Sequence, residues 1–549
     1  MIFVTYKDIT YEINEGSTIE DFITTHNLKT KLNLYVGATI NNIPQELTYS
    51  IAKDCTLDLI DINSTLGQKI YKNSLSFLFL KAVYDTLDKA PVTLCHTISN
   101  GQYCEISGYE FISKENISIV KNRMNDLIAL NLPFKKFILT KEEAIELFTS
   151  IKKYDHVDLL NTMYKETVNV YNLDGYITYF NDYIVPSTGY LSTYDIVQEE
   201  NGVVLLCPEK NNPLTVRKHS TQSKLLNSFR EIKKWAQIMN VSTVSDLNRK
   251  VLNSEHGELI RTVEALQEKK IADISQNIFN FKKRIILIAG PSSSGKTTTS
   301  KRIETQLRVL GLKPISISLD NYFVDRANTP LDHHGEKDYE SIHALDLELF
   351  NKDMCSLLNG EEVSLPSYNF ITGIREYNDN KIKINHNQPI ILEGIHGLNP
   401  LLTKKIDENE KYKIYISPIT QLNLDRHNRL SSTDCRLMRR IVRDYNFRGN
   451  DAEATFRMWD SVRRGEDKNI FPYQEEADII INSTLIYEIP VLKKYIEPIL
   501  IAVSTKSAYY VEAKRLLNTL TYFIGITNEK DIPSTSIIKE FIGNSTLLQ

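Results

Sequence analysis

The sequence predicts a chain of several domains, α+β through its first half and α/β through its second, the latter built on a doubly wound parallel sheet. Three observations point there. The chain runs to 549 residues, several times the ~150 residues of a common domain. Short runs rich in β-branched and aromatic residues crowd its start, among them "MIFVTY" and "ITYEI". From Lys283 onward, apolar runs of strand length ("RIILIAG", "PISISLD", "PIILEG", "YKIYIS") alternate with stretches long enough for helices. That is the rhythm of a parallel sheet covered by helices.

Residues 1–62 read as a small β-rich unit. Its first two strands meet at Lys7-Asp8, and "STIEDFITTHN" predicts a helix with Ser17 as N-cap and Glu20 as its capping-box partner. "LNLYVGATINN" and "CTLDLIDI" supply further strands, and the order suggests a ubiquitin-like β-grasp. Residues 63–215 mix helices ("SLSFLFLKAVYDTL", "KEEAIELFTSI") with strands ("GQYCEISGY", "VVLLCPE"), a second α+β domain with a loop at "VPSTGY". Residues 216–282 form a helical linker. Ile260, Val263, Leu266, Ile271, Ile274 and Ile278 fall on one helical face, and no heptad is sustained, so a packing helix is expected rather than a coiled-coil seam. Residues 283–549 form the α/β domain with a helical C-terminal part.

Composition narrows the function. Hydrophobic residues make up 42% and charged residues 24%, values of ordinary globular protein. With 65 basic against 69 acidic residues the net charge is −4, which argues against a surface devoted to duplex nucleic acid. The cysteines Cys55, Cys95, Cys104, Cys207, Cys355 and Cys435 form no CxxC, so neither a zinc knuckle nor a disulfide framework is expected. The start lacks a basic segment followed by an apolar core, and the apolar runs are far shorter than a membrane helix. A cytoplasmic chain without membrane contact is the expectation.

Gly290, Gly295, Lys296 and Thr297 satisfy GxxxxGK[ST], with a strand before and a helix-forming run after. Glycines let backbone N–H groups wrap phosphates, and the helix N-terminus adds partial positive charge. Lys296 would reach the β- and γ-phosphates, and Thr297 would ligate Mg²⁺. A regulatory GTPase fits poorly: "NKDM" at Asn351 lacks the guanine-reading Asp, and "DHHG" at Asp332 follows no apolar strand. Asp320 and Glu393 each close an apolar strand, where an open α/β sheet binds its ligands. Asp320 can orient or deprotonate a hydroxyl, and Glu393 suits a metal shell. His333 and His334 lack partners at ligand spacing and read as a solvated loop. "DCRLMRRIVRDYNFRG" places Arg436, Arg440 and Arg443 on one helical face, with Arg439 beside them and Arg448 beyond. Beside a nucleotide, this row reads as a lid whose guanidinium forks match phosphoryl oxygens.

The P-loop, "LDNYF", "LPSYNF", "ILEGIHG" and "RLMRRIVRD", in this order, resemble the uridine kinase branch of the phosphoribulokinase/uridine kinase family over about residues 283–485. The resemblance implies transfer of the γ-phosphoryl group of ATP or GTP to the 5′-hydroxyl of a nucleoside, with Mg²⁺. It makes Asp320 the base, assisted by Lys296, Arg440 and Arg443. The donor would lie on Gly290, Pro291, Ser292, Ser293, Ser294, Gly295, Lys296, Thr297 and Thr298, with Arg448 on its phosphates. The acceptor would meet Asp320, Tyr322, Glu340, Tyr368, Phe370 and Arg440, and the metal Thr297, Asp320 and Glu393.

Two departures stand out. Glu340 replaces the family's ribose-clamping Asp, and Gly373 replaces a base-reading His. The acceptor is therefore less defined than the chemistry, and another small alcohol stays open. The first 62 residues resemble the TGS domain, and residues 63–215, with "GQYCEI" and "VPSTG", resemble the second N-terminal domain of threonyl-tRNA synthetase. The positions of that domain's editing groups hold Asn73, Phe77, Phe180 and Ile184, so metal binding and editing are not expected there. What remains is a regulatory module or one that contacts RNA, in a chain that could assemble as a homo-oligomer. A nucleotide-sensing RNA-binding regulator is the reading from another class.

Overall fold

The structure, a computed structural model, describes residues 1–28, 34–98, 101–109, 111–210, 212–216, 218–331, 335–420 and 422–548, with only the backbone at 378–380. Asp332, His333 and His334 lie outside the described residues.

The first unit is a five-stranded sheet in the order Ile9–Ile13, Ile2–Tyr6, Cys55–Asp61, Tyr35–Ile40, Ile43–Gln45. Ile2–Tyr6 runs parallel to Cys55–Asp61, and the other pairings are antiparallel. The first hairpin turns at Lys7 and Asp8, both with positive φ (49° and 63°), the backbone a tight two-residue turn requires. The helix Ile19–Thr25 is capped one residue later than expected. Thr18 Oγ1 accepts from the Asp21 N–H at 3.0 Å, and the Asp21 carboxylate accepts from the Thr18 N–H at 2.9 Å. "STIED" offers two capping registers, and this one turns Ile19, Phe22 and Ile23 into the core.

The helix Thr65–Thr86 and the strands Val92–Ile98, Gly101–Ile106, Gly202–Leu206 and Asp195–Glu199 follow, the strands pairing in one antiparallel sheet. One hydrophobic core runs through both units, from Ile2 to Cys207. In it Phe77 stacks on Phe134 with ring centroids 5.2 Å apart and lies 5.5 Å from Phe180. Residues 144–170 leave this core. Ala144, Phe148, Leu159 and Leu160 pack with Val241, Ile260, Leu437 and Leu516, so the two halves of the chain interlock.

The second half carries five parallel strands in the order Ile315–Ser318, Ile390–Glu393, Ile285–Ala289, Lys411–Ser417, Ile479–Asn482. Alternate residues serve opposite faces. Ile285, Leu287 and Leu392 meet Phe350, Met354 and Leu357 of the helix Leu347–Leu358. Ile286, Ile288 and Ile414 meet Ile303 and Leu307 of the helix Lys296–Val309, and Ile271, Ile274 and Ile278 of the helix His256–Asn280. Burial on both faces is why these strands read as unbroken apolar runs. The expected packing helix is thus a wall of the sheet. No helix among the described residues is long and apolar enough to cross a membrane.

The segment 423–430 threads into the first half. Arg426 O accepts from the Leu94 N–H at 2.8 Å, and Asn428 Nδ2 donates to Tyr179 O at 3.1 Å. Nearby, Asp434 accepts two hydrogen bonds from Arg515, each 2.8 Å, and lies 3.4 Å from Lys69 Nζ. Burial pushes the Asp434 carboxyl up, but Arg515 and Lys69 outweigh it and hold it well below the usual range. The stability this contributes is present above the ordinary carboxylate range and is lost as pH falls below it. Asp434→Asn should cost about 1–3 kcal/mol in urea denaturation at neutral pH, because it removes one of the two carboxylates that hold the buried Arg515, the other being Glu512. The difference from the native chain should shrink in acid.

Candidate active site

The loop between the strand Ile285–Ala289 and the helix Lys296–Val309 lies at the carboxyl edge of the sheet. At Gly290 a Cβ would stand 2.0 Å from Ile416 O, so no side chain fits. Ser293 and Gly295 adopt positive φ (60° and 86°) and curl the loop back on itself. Gly295 is the N-cap and offers no side chain to the first-turn amides. The hydroxyls of Ser293 and Ser294 are buried without a hydrogen-bond partner. The curled backbone at a helix N-terminus, with two orphaned hydroxyls, fits a polyphosphate. Lys296 Nζ donates to the carbonyls of Gly290 (3.0 Å) and Pro291 (3.2 Å).

Two acids close neighbouring strands. Glu393 pairs in register with both Ile288 and Ser318, and the Thr297 hydroxyl donates to it, 3.3 Å from each carboxylate oxygen. Asp320 stands in the turn Leu319–Tyr322, after Ile315–Ser318. Burial pushes the Glu393 carboxyl up, opposed by Lys296 and reinforced by Asp320. Crowding by protein also pushes Asp320 up although the residue is exposed, with Lys296 and Arg448 pulling the other way. Burial lowers the Lys296 ammonium, against Glu393, Glu540 and Asp320. Thr297, Asp320 and Glu393 are therefore electrostatic neighbours, and their hard oxygens suit Mg²⁺.

The arginine helix, Ser432–Arg448, is no surface lid. Its residues from Asp434 to Val442 are buried. Arg436 forms a two-pronged pair with Glu466, whose carboxylate also accepts from the Ser292 N–H at 3.0 Å. Arg439 donates to Ser293 O at 3.3 Å and pairs with Glu488. Arg440 donates to Ser292 Oγ at 2.8 Å. The helix thus braces the phosphate loop from behind. Asp444 gathers the remaining guanidiniums: Arg443 at 2.7 Å, Arg440 at 3.2 Å and Arg448 at 3.6 Å.

On the acceptor side, Tyr368 lies on the strand Val363–Asn369 with Phe323 and Phe370 at ring-centroid distances of 5.5 and 5.1 Å. Phe370 is exposed. Glu340 packs against Gly465, and its carboxyl is pushed up to about 7 by burial and by Glu466, with Lys296 and Arg440 opposing. Tyr322 departs from expectation. It is fully buried, edge-on to Phe350, with its hydroxyl donating to Asp353 at 3.2 Å. It supports the turn carrying Asp320 from within the core and presents no surface to solvent.

Several groups escaped the sequence reading. Asp444 was signalled by its four-residue spacing from Arg440 and Arg448. Glu466, Glu488 and Phe323 had no local signal. Nor did Glu540, on the C-terminal turn Lys539–Ile542, whose carboxylate accepts from the Thr298 hydroxyl at 2.6 Å and from the Thr298 N–H at 3.3 Å. Ile537 of the same segment lies 2.8 Å from where a Gly295 Cβ would be.

A phosphate cradle, a basic residue inside it and acids on the adjoining strand ends define a P-loop phosphotransferase. The profile of the phosphoribulokinase/uridine kinase family matches residues 285–489. Uridine kinases of Staphylococcus aureus strains JH9 and Newman are each 32% identical over 199 residues, 36% of this chain and 86% of the relative. The chain belongs to the phosphoribulokinase/uridine kinase family. Among solved structures, one described as a possible uridine kinase from Bacillus stearothermophilus is 16% identical, with TM-score 0.26, covering 39% of this chain and all of its own (100%). A D-glycerate 3-kinase from Cryptococcus neoformans is 10% identical, with TM-score 0.22, covering 46% of this chain and 87% of its own.

Glu540 lies outside the family profile and puts a negative charge on the amide face of the cradle. Glu540→Gln should tighten Mg²⁺·ATP binding to the full chain about tenfold in calorimetry, equivalent to ~1.4 kcal/mol. Unchanged or weaker binding would show that this carboxylate does not compete for the cradle.

Proposed function

We propose that this chain transfers the γ-phosphoryl group of ATP or GTP to the 5′-hydroxyl of a nucleoside. The observation that carries this is the grouping of Lys296, Asp320, Glu393 and Thr297 at one edge of the sheet. Asp320 orients the acceptor hydroxyl and takes its proton, and its carboxyl is pushed up by burial, which makes it a stronger base than a free carboxylate. Lys296 leaves the loop carbonyls to meet the donor phosphates. Mg²⁺, held by Thr297 and Glu393 with Asp320, would offset charge on the phosphoryl oxygens. Arg443 and Arg448 add positive charge around the same space, and Arg440 links the loop to the ribose side. Glu340 accepts from the ribose hydroxyls, while Tyr368 and Phe370 offer faces to a base.

One observation favours another acceptor in the same chemistry. Gly373 has φ +73°, and Arg326 fills the space beside it, 2.7 Å from where a Cβ would stand. Arg326, which donates to the Phe370 and Ile371 carbonyls, thus takes up the space beside Gly373, and no imidazole stands there to read a base, which leaves room for a less base-like alcohol. For the first half, the TGS-like and synthetase-like readings gain support from the sheet order and from the apolar packing of Phe77, Phe180 and Ile184. We read it as regulatory, in a cytoplasmic enzyme.

A radiolabelled phosphoryl-transfer screen over nucleosides and small alcohols tests the reaction. Lys296→Ala and Asp320→Ala should each lose at least ~10²-fold in turnover while staying folded. Full turnover in Asp320→Ala would remove its assigned role. The acceptor kcat/KM should fall as pH drops below about 7, where Glu340 gains a proton and can accept less. Glu340→Gln should lower kcat/KM and flatten that limb, and a persisting limb would assign it to another group.

A further inference from the structure

Away from the phosphate loop, three hydrogen-bond donors converge on a cavity of about 160 Å³ between the two halves of the chain. Lys72, on the helix Thr65–Thr86, donates to Thr97 Oγ1 at 2.9 Å. Arg429, from the segment that threads into the first half, donates to the same oxygen at 2.9 Å. Among the described residues neither cation has a carboxylate partner. Asp434, on the cavity wall, is already held by Arg515 and Lys69, and Asp182 pairs with neither cation. The Nε of Arg429 is buried without an acceptor. Thr97 Oγ1 receives two charged donors, and its own proton has no acceptor among the described residues. Burial drives Lys72 down to about 8 and Arg429 to about 10, and Arg429 depresses Lys72 further.

Thr97 is exposed and Lys72 and Arg429 are half-buried, so water reaches the three donors, but two like charges gathered on one hydroxyl oxygen repel each other, and an anion between them relieves that repulsion. We propose that Lys72, Thr97 and Arg429 form an effector site for a phosphate-bearing small metabolite, distinct from the phosphoryl-transfer cleft. Oxygens of a phosphate accept from all three at once, and a guanidinium beside an ammonium is the donor set that phosphate favours. A larger cleft of about 570 Å³ shares Thr97, Arg429 and Ser431 with the first, so the rest of the metabolite has room. Ser431 is the N-cap of the arginine helix. Binding there adds an anion at the positive end of that helix, whose next turns hold Ser292 and Ser293 of the phosphate loop through Arg440 and Arg439. Occupancy is thereby tied to the loop through one rigid element.

Inorganic phosphate and pyrophosphate, titrated separately by calorimetry into the full chain, test this without any phosphoryl transfer. The background is Lys296→Ala, which weakens binding at the loop. One of the two anions should bind, and adding Lys72→Met and Arg429→Met should weaken it at least tenfold. Thr97→Val, which leaves every charge in place, should weaken it too and guards against misfolding of the charge variants. The bound anion should also protect Lys72 from acylation, read by peptide mass spectrometry. Equal affinity in all these variants, or no binding by either anion at millimolar concentration, would overturn the site.

Discussion

Glu466, Glu488 and Asp444 hold Arg436, Arg439 and Arg440 inside the protein, and the phosphate loop depends on that arrangement. Each carboxylate is about 1% exposed in its side chain. Buried pairs of this kind add little net stability, but losing one partner strands the other charge. The helix is therefore fixed in place, and its guanidiniums are spent on the loop's own atoms: Ser292 O and Oγ, and Ser293 O. With the Ser292 and Ser293 carbonyls engaged by the arginines and the Ser292 N–H by Glu466, the loop is held in its curled shape before any phosphate arrives. A loop preorganised in that way needs no rearrangement when charge develops.

The front of the loop has the opposite character. Glu393, Asp320 and Glu540 surround a single desolvated lysine, and Glu393 and Asp320 are both driven toward their protonated forms. Such crowding is poorly balanced by protein groups alone. A divalent cation and a polyphosphate together would supply what each side lacks: positive charge for the acids, acceptors for the amides and for Ser293 and Ser294. Glu540 is the odd member. It comes from a segment that is otherwise packed in the core, with Ile537, Ile538 and Phe541 buried. Only its flexible arm has to swing away for a donor to settle.

How much of this was legible in the sequence follows the distance over which each feature is determined. That residues 290–297 turn from a strand into a helix was readable because such backbone geometry is local. That Asp320 and Glu393 fall at strand ends was readable because strand ends announce themselves in the apolar pattern. The arginine helix was misread as a lid. A row of arginines looks alike on a surface or in a core, and the acids that decide between them, Glu466 and Glu488, lie 30 and 49 residues from their partners. Tyr322 was misplaced for a similar reason. Its motif fixes the turn beside Asp320, but whether the ring faces cleft or core depends on Phe350 and Asp353. The N-cap of the first helix shifted by one residue because two registers satisfy the same capping pattern, and only the buried face of the helix separates them.

The same reasoning explains why the two halves were readable as units but not as one body. Their contacts are made by residues with ordinary local roles. Asn428 and Asp425 look like turn residues, yet Asn428 bonds the backbone of Tyr179 and Asn181. Asp434 looks like a first-turn acid that favours a helix start, yet it is paired by Arg515 and approached by Lys69 from the first half. Because the helix that begins at Ser432 carries this junction at one end and the arginines of the phosphate loop along its length, strain applied at the junction reaches the loop without passing through any flexible connection.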